Sequence, residues 1–198
     1  MYPSSAVSGR AAARRAGPPL AMIALIAATG ACTSAPRQGI ALTPPVTATA
    51  APGCPSAGVT LTAGPIDAAM GLRAMRIDLV NCGTEPYTVQ GHPAVRVLDD
   101  RRRPLGVAVL EGTAAISRIE RFEGRPQRVT AAPGGRLAAV VVWRNTVTDP
   151  SVPAVTGRHL EIIPAAGQPA QTLTPGGGID LGTTGRLAVS RWITPPSG

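Results

Sequence analysis

From Leu72 to Val80 the chain reads LRAMRIDLV, with Met75, Ile77 and Leu79 on one face and Arg76 and Asp78 on the other. A period of two is the pattern of a strand with one face buried and one in water. From Arg136 to Arg144 (RLAAVVVWR), Leu137, Ala139, Val141 and Trp143 share a face, and the opposite face carries Val140 and Val142. Apolar residues on both faces predict a central strand that is covered on both sides. Shorter strands are predicted at 58–62, 86–90, 94–99, 105–110, 127–131, 158–163 and 186–193. Gly91-His92-Pro93, Arg103-Pro104, Pro133-Gly134-Gly135 and Pro175-Gly176-Gly177-Gly178 punctuate them with turn residues. Many short strands and no sustained helical period predict an all-β fold, an Ig-like antiparallel β-sandwich of about seven to nine strands.

Two segments resist a simple assignment. Residues 111–126 (EGTAAISRIERFEGRP) read as a helical turn or as a long crossing loop. In 186–193, Leu187 and Val189 share a face while Trp192 falls on the opposite one. Either a bulge re-phases the strand or Trp192 sits at a partly exposed end. An exposed tryptophan is a contact site; the pattern favours one that caps the bottom of the sandwich.

The N-terminal region has a different pattern. Arg10, Arg14 and Arg15 precede an apolar run from Leu20 to Ala28, and small residues Thr29-Gly30-Ala31 lead to Cys32. This is the layout of an export signal cut before a cysteine that then carries lipid. The run is well short of the roughly 20 residues that span a bilayer. Residues 1–31 are therefore expected to be a lipoprotein signal peptide, with Thr29 standing where a Leu-like residue is usual. Plain secretion is the alternative. Residues 32–53, rich in Thr, Ala and Pro with the single charge of Arg37, predict a disordered tether that stretches to roughly 65 Å at about 3.1 Å per residue. Residues 54–198 form one domain. The expected location is the outer face of the cytoplasmic membrane, in the cell envelope.

Charge adds less than it first suggests. All 19 basic residues are arginine, and the formal net charge is +8. Without residues 1–31 there remain 16 arginines against 11 acids, a net +5. A mild surplus suits an anionic envelope surface and does not imply nucleic acid. Beyond residue 31 the aromatic residues a single-strand binder stacks on are reduced to Tyr87, Phe122, Trp143 and Trp192. With Cys32 lipidated, Cys54 and Cys82 remain as an even pair, most simply a disulfide in an oxidising compartment. His92 and His159 lack ligand-like spacing to either cysteine, so no metal and no cofactor is expected.

No catalytic constellation emerges. There is no G-x-S-x-G elbow. The glycine-rich 175–185 stretch (PGGGIDLGTTG) lacks the Lys-Ser/Thr of a phosphate loop and reads as a turn into a short strand at Ile179-Asp180-Leu181. Glu111, Glu120 and Glu123 are interspersed with Arg118, Arg121 and Arg125, the pattern of a solvated, self-neutralising surface. A wall-glycan hydrolase or transferase would need these acids, or His92, to converge in a cleft. The best binding candidate is Asp99-Asp100-Arg101-Arg102-Arg103 at an expected hairpin tip. There Arg101, Arg102 and Arg103 offer guanidinium forks to lipid phosphate or an acidic wall polymer. Asn81 and Asn145 are expected to bond backbone at strand ends, with Trp143 in the core.

Three stretches carry a resemblance. They are AAMGLRAMRIDLVNCGTEPYTVQGHPAVRVLDDRRRPLG (68–106), VTAAPGGRLAAVVVWRN (129–145) and IDLGTTGRLAVSRW (179–192). In that order they resemble the secreted actinobacterial proteins grouped as domain of unknown function 4232, over about 54–194. This chain departs from the common pattern in placing Cys82 directly after Asn81 and His92 where an aromatic is usual. The resemblance implies an Ig-like sandwich, often on a signal peptide or lipid anchor, and brings no catalytic residues. The combined expectation is a non-enzymatic, lipid-anchored module that binds an envelope component or protein. A wall enzyme and a small-ligand carrier with a cavity between its sheets are the alternatives.

Overall fold

The structure, a computed structural model, describes residues 53–196; the signal segment, Cys32 and the tether through residue 52 lie outside the described residues. The described chain is all-β. In chain order its strands are β1 (Val59–Ala69), β2 (Leu72–Asn81), β3 (Tyr87–Gln90), β4 (Ala94–Leu98), β5 (Ala108–Glu111) and β6 (Arg128–Ala131). Then follow β7 (Arg136–Arg144), β8 (Thr156–Gly157), β9 (His159–Ile163), β10 (Gln171–Leu173), β11 (Ile179–Asp180) and β12 (Arg186–Val189). The 12 strands exceed the expected seven to nine because β8, β10 and β11 are pieces of two or three residues, of which the sequence pattern names only β11, within 179–181.

One large sheet runs β1-β2-β7-β12-β5. Its pairs are antiparallel except β12 with β5, which run parallel, so the purely antiparallel expectation needs correcting at this edge. The chain reaches β5 from β4, in a different sheet, so no hairpin sets its direction against β12. Three smaller sheets, β10-β9-β4, β3-β6 and β11-β8, complete a sandwich-like arrangement.

The alternation read from the sequence decides which residues lie between the layers. Met75, Ile77 and Leu79 of β2 and Leu137, Val141 and Trp143 of β7 pack in one cluster with Val95, Val97, Leu160, Ile162 and Ile179 from the smaller sheets. Each aliphatic side chain buried in this way contributes about 1.5–3 kcal/mol. The other face of the large sheet is covered too. Val140 and Val142 of β7 and Ala188 of β12 lie under Ile116, Ile119 and Phe122. Those three belong to the segment after β5, which makes two 3₁₀ turns, Thr113–Ala115 and Glu120–Phe122, and no α-helix. The segment is thus a crossing strap, and the apolar outer face of β7 is the reason it lies where it does.

Two bulges set the phases. Between Ala63↔Ile77 and Ile66↔Met75, β1 carries one residue more than β2. The extra residue falls at Gly64-Pro65 on the edge strand, where a missing N–H costs no ladder bond. A second irregularity follows β12, between Val189↔Val141 and the bridge Ala138↔Ile193. There the Ser190 hydroxyl accepts the Val140 N–H (2.9 Å) and donates to the Arg191 carbonyl (2.9 Å). The extra residue rotates Trp192 into the core, fully buried, with Nε1–H donating to the Pro164 carbonyl at 2.9 Å.

At the start of the domain, Cys54 and Cys82 form a disulfide with Cα atoms 5.6 Å apart. Beside it the buried Asn81 amide donates to the Glu85 and Ala131 carbonyls (both 2.8 Å) and accepts from the Gly83 N–H (3.0 Å). This is the strand-end role expected for Asn81. Gln171 of β10 seals the free edge of β1: its Oε1 accepts the Leu61 N–H (2.9 Å) and its Nε2 donates to the Val59 carbonyl (3.0 Å). A side-chain amide here does what a further strand would do.

Candidate functional site

β1 leaves the disulfide end at Val59 and reaches Ala69 on the order of 30 Å away, at about 3.3 Å per residue. The far end is where polar side chains enter the inner face of the large sheet. The period of two that buries Met75 and Ile77 also turns Arg73 inward, and Arg73 pairs in register with Trp143 on β7 and with Ala68 on β1. Asn145, just past β7, follows Trp143 on the same face. Opposite them stand Gly176-Gly177-Gly178 and Asp180 on β11, and together these residues line a cleft of about 270 Å³ at the mouth of the sandwich.

The groups in this cleft are poorly matched to one another. Arg73 Nη1 donates to the carbonyl of its neighbour Leu72 at 3.0 Å. With the Asn145 amide turned so that its oxygen accepts from Arg73 Nη2 (2.8 Å), its nitrogen donates to the Gly71 carbonyl (3.2 Å). That orientation satisfies both ends of the amide and sets aside the longer 3.4 Å contact from Asn145 to Asp180. Asp180 Oδ1 accepts the Gly182 N–H at 3.0 Å. Arg73 and Asp180 line the same cleft and make no ion pair with each other. Trp143 is 1% exposed and its indole N–H has no hydrogen-bond partner. Such an unmet buried donor costs about 1–3 kcal/mol. Gly182, at φ 53°, permits the fold here: a Cβ would run into the backbone of Thr146.

Two other clefts lack this combination of a positive and a negative side chain. One of about 420 Å³ lies beside the disulfide and is lined by residues of 54–58 and 81–87, with Glu85 as its charged side chain. It holds the Tyr87 hydroxyl, which has no partner and whose pKa burial pushes up. The other, about 510 Å³, is largely alanine and glycine around His92, Ile163 and Gln168.

Most of the residues singled out from the sequence disperse; among the acids and His92, the two that meet are His92 and Glu111. Asp99 organises the expected tip: its carboxylate accepts the N–H groups of Arg101 (2.9 Å) and Arg103 (2.8 Å) and pairs with the Arg103 guanidinium (2.8 Å). The backbone bond from Arg103 is the main reason its pKa falls, and the Arg103 side chain and the Arg101 N–H add to it against some desolvation. Arg103 is therefore occupied, while Arg101 and Arg102 stand exposed with no side-chain bond. Among the acids, Glu111 lies 3.4 Å from His92 Nδ1, Glu120 pairs with Arg118 (2.6 Å), and Glu123 accepts from the Thr113 hydroxyl. Each has its own partner and they do not share a cleft. His159 Nδ1 bonds Thr174 Oγ1 at 2.8 Å. No group of three or more His, Cys, Asp or Glu gathers as a metal site among the described residues.

Sequence reasoning missed the mouth cleft. Trp143 was expected as core and Asn145 as a strand-end residue, and both descriptions hold. The available signal was Arg73, an arginine in phase with Met75, Ile77 and Leu79. A charge in register with a buried face must lie at the end of that face or line a cavity.

A family described as a domain of unknown function (DUF4232) matches residues 54–194, well over half of the chain. No curated protein and no solved structure matches.

Proposed function

We propose that the protein, which belongs to the DUF4232 family of domains of unknown function, is an exported, non-enzymatic binding module held on the outer face of the cytoplasmic membrane by lipid on Cys32. The observation that carries this reading is the polarity of the domain. Its entry point is stapled by Cys54–Cys82, and the cleft that brings Arg73 and Asp180 together without pairing them lies at the other end of β1. A chain that enters the domain at one end and opens a cleft at the other is the arrangement a tethered binder needs. Arg101 and Arg102, the two guanidinium groups of the Asp99 loop left unengaged, offer a second, electrostatic contact for an acidic envelope component.

The glycan-enzyme reading has less to stand on, because Glu120 and Glu123 are engaged by Arg118 and Thr113, and the Glu111 that meets His92 is largely exposed. The small-ligand reading is favoured to the extent that the mouth cleft is concave and partly apolar, although it opens at the end of the sandwich rather than between fully closed sheets.

Intact-mass measurement on membrane fractions of the parent and Cys32→Ala, reduced and non-reduced, tests the anchor. The expected species begins at Cys32, carries diacylglyceryl, and gains two hydrogens on reduction. A mature chain free of lipid, or one found only in the medium, overturns the membrane-bound reading.

A further inference from the structure

We infer that the mouth cleft is a site for a small zwitterion, a free α-amino acid. The inference rests on the reading of the protein as a binding module and gives that module a ligand class. Three features point the same way. Arg73 and Asp180 put one positive and one negative group on the walls of one cleft without pairing, so the walls are neutral in sum and polarised across the gap. The Trp143 indole is a donor only, buried and unmet, and an acceptor from outside the chain would satisfy it. Ile66 and Ala68 supply an apolar wall on β1.

On this reading a ligand carboxylate bonds the Arg73 fork and, once the cover gives, the indole N–H of Trp143, the register partner of Arg73. Of the Arg73 donors, Nη1 and Nη2 each spend one bond on Leu72 and Asn145, and the guanidinium has five in all. An ammonium on the adjacent carbon then serves Asp180, whose Oδ2 has no donor once the Asn145 oxygen rather than its nitrogen stands 3.4 Å from it. Ligand net charge separates this class from its neighbours. A simple carboxylate leaves Asp180 unpaired, a simple amine leaves Arg73 unpaired, and only a molecule carrying both charges close together matches both walls. The volume, about 270 Å³, falls just below the usual range of roughly 300–1,000 Å³ for small-molecule sites and sets the ligand near the size of one amino acid. The indole N–H is out of reach of solvent. Its cover must therefore give slightly on binding, and the side-chain-free Gly176-Gly177-Gly178 stretch is the part of the wall with least to displace.

The chain has two tryptophans, so a ¹⁵N-labelled sample of the full chain in detergent gives two indole N–H resonances. Trp192 already bonds Pro164 and serves as the internal reference. Titration with alanine should shift the Trp143 indole signal saturably and leave that of Trp192 in place. N-acetylalanine, which mimics a peptide C-terminus, and alaninamide, which lacks the carboxylate, should each bind at least tenfold more weakly. Arg73→Gln and Asp180→Asn should each weaken alanine at least tenfold, and Arg73→Lys, which keeps the charge and loses the fork, should fall between. The reference signal of Trp192 reports that each variant is folded. No shift with alanine, an equal shift with N-acetylalanine, or a saturable shift with glucose in place of alanine overturns the inference. Because this titration is independent of lipid on Cys32, its failure and that of the anchored-module reading are separate results.

Discussion

Asp99 holds a five-residue loop in shape by accepting from two backbone N–H groups and one guanidinium. All of those donors favour the ionised carboxylate, which is why its pKa lies below the ordinary carboxylate value. A depressed folded-state pKa means stability that is present above the unfolded value and disappears as pH falls through the folded one. Asp99→Asn should therefore melt at a lower temperature than the parent at pH 7. Below about 3.9, the ordinary value for Asp, the difference should narrow as the parent protonates. Thermal melts of the two proteins at pH 7, 5 and 3 check this; a gap that stays constant across the series would assign the loss to shape rather than charge. The run of three arginines was legible in the sequence, but the division of labour within it was not. Arg103 is bound by Asp99, while Arg101 and Arg102 stand free, because that division depends on how the loop closes: Arg102 adopts φ 61° and lends its N–H to the Asp99 carbonyl at 3.1 Å.

At the scale of elements, strands with a clear period of two were read almost to the residue, as with β2, β4, β7 and β9. What escaped was phase. The second half of β1 was lost because Gly64-Pro65 looks like a turn, whereas on an edge strand it is a bulge that the ladder continues past. β10 was lost because three residues carry no period, and its role rests on the single side chain of Gln171. The bulge after β12 was anticipated as one of two ways to place Trp192, but Ser190, which makes it possible, gave no sign. Its hydroxyl supplies the acceptor that the irregular backbone withdraws from Val140. Ser190→Ala leaves a buried N–H unpaired and should cost about 1–3 kcal/mol, read as a lower urea midpoint at unchanged slope. A midpoint equal to the parent's would mean that the Val140 N–H finds another partner.

For the whole molecule, the disulfide matters through where it sits. Cys54 is the second described residue and Cys82 follows β2 directly, so the bond ties the incoming chain to the end of the β1–β2 hairpin. The loop it closes spans 28 residues, and the chain-entropy relation gives about 3.5 kcal/mol for that length. Replacing both cysteines with alanine should lower the melting temperature by about 10 °C in a domain of this size. The mouth cleft is built at the opposite end, from β1, β2, β7 and β11, and none of its residues touches the disulfide in sequence or register. A disulfide and a cleft on opposite ends of the same strands are mechanically separate. Below its melting temperature, the variant without the disulfide should therefore bind alanine with unchanged affinity, measured by the same Trp143 indole shift. A clear loss of affinity in a protein that is still folded would mean that β1 and β2 transmit the state of the disulfide to the cleft. The bond would then be part of the binding function as well as of the fold.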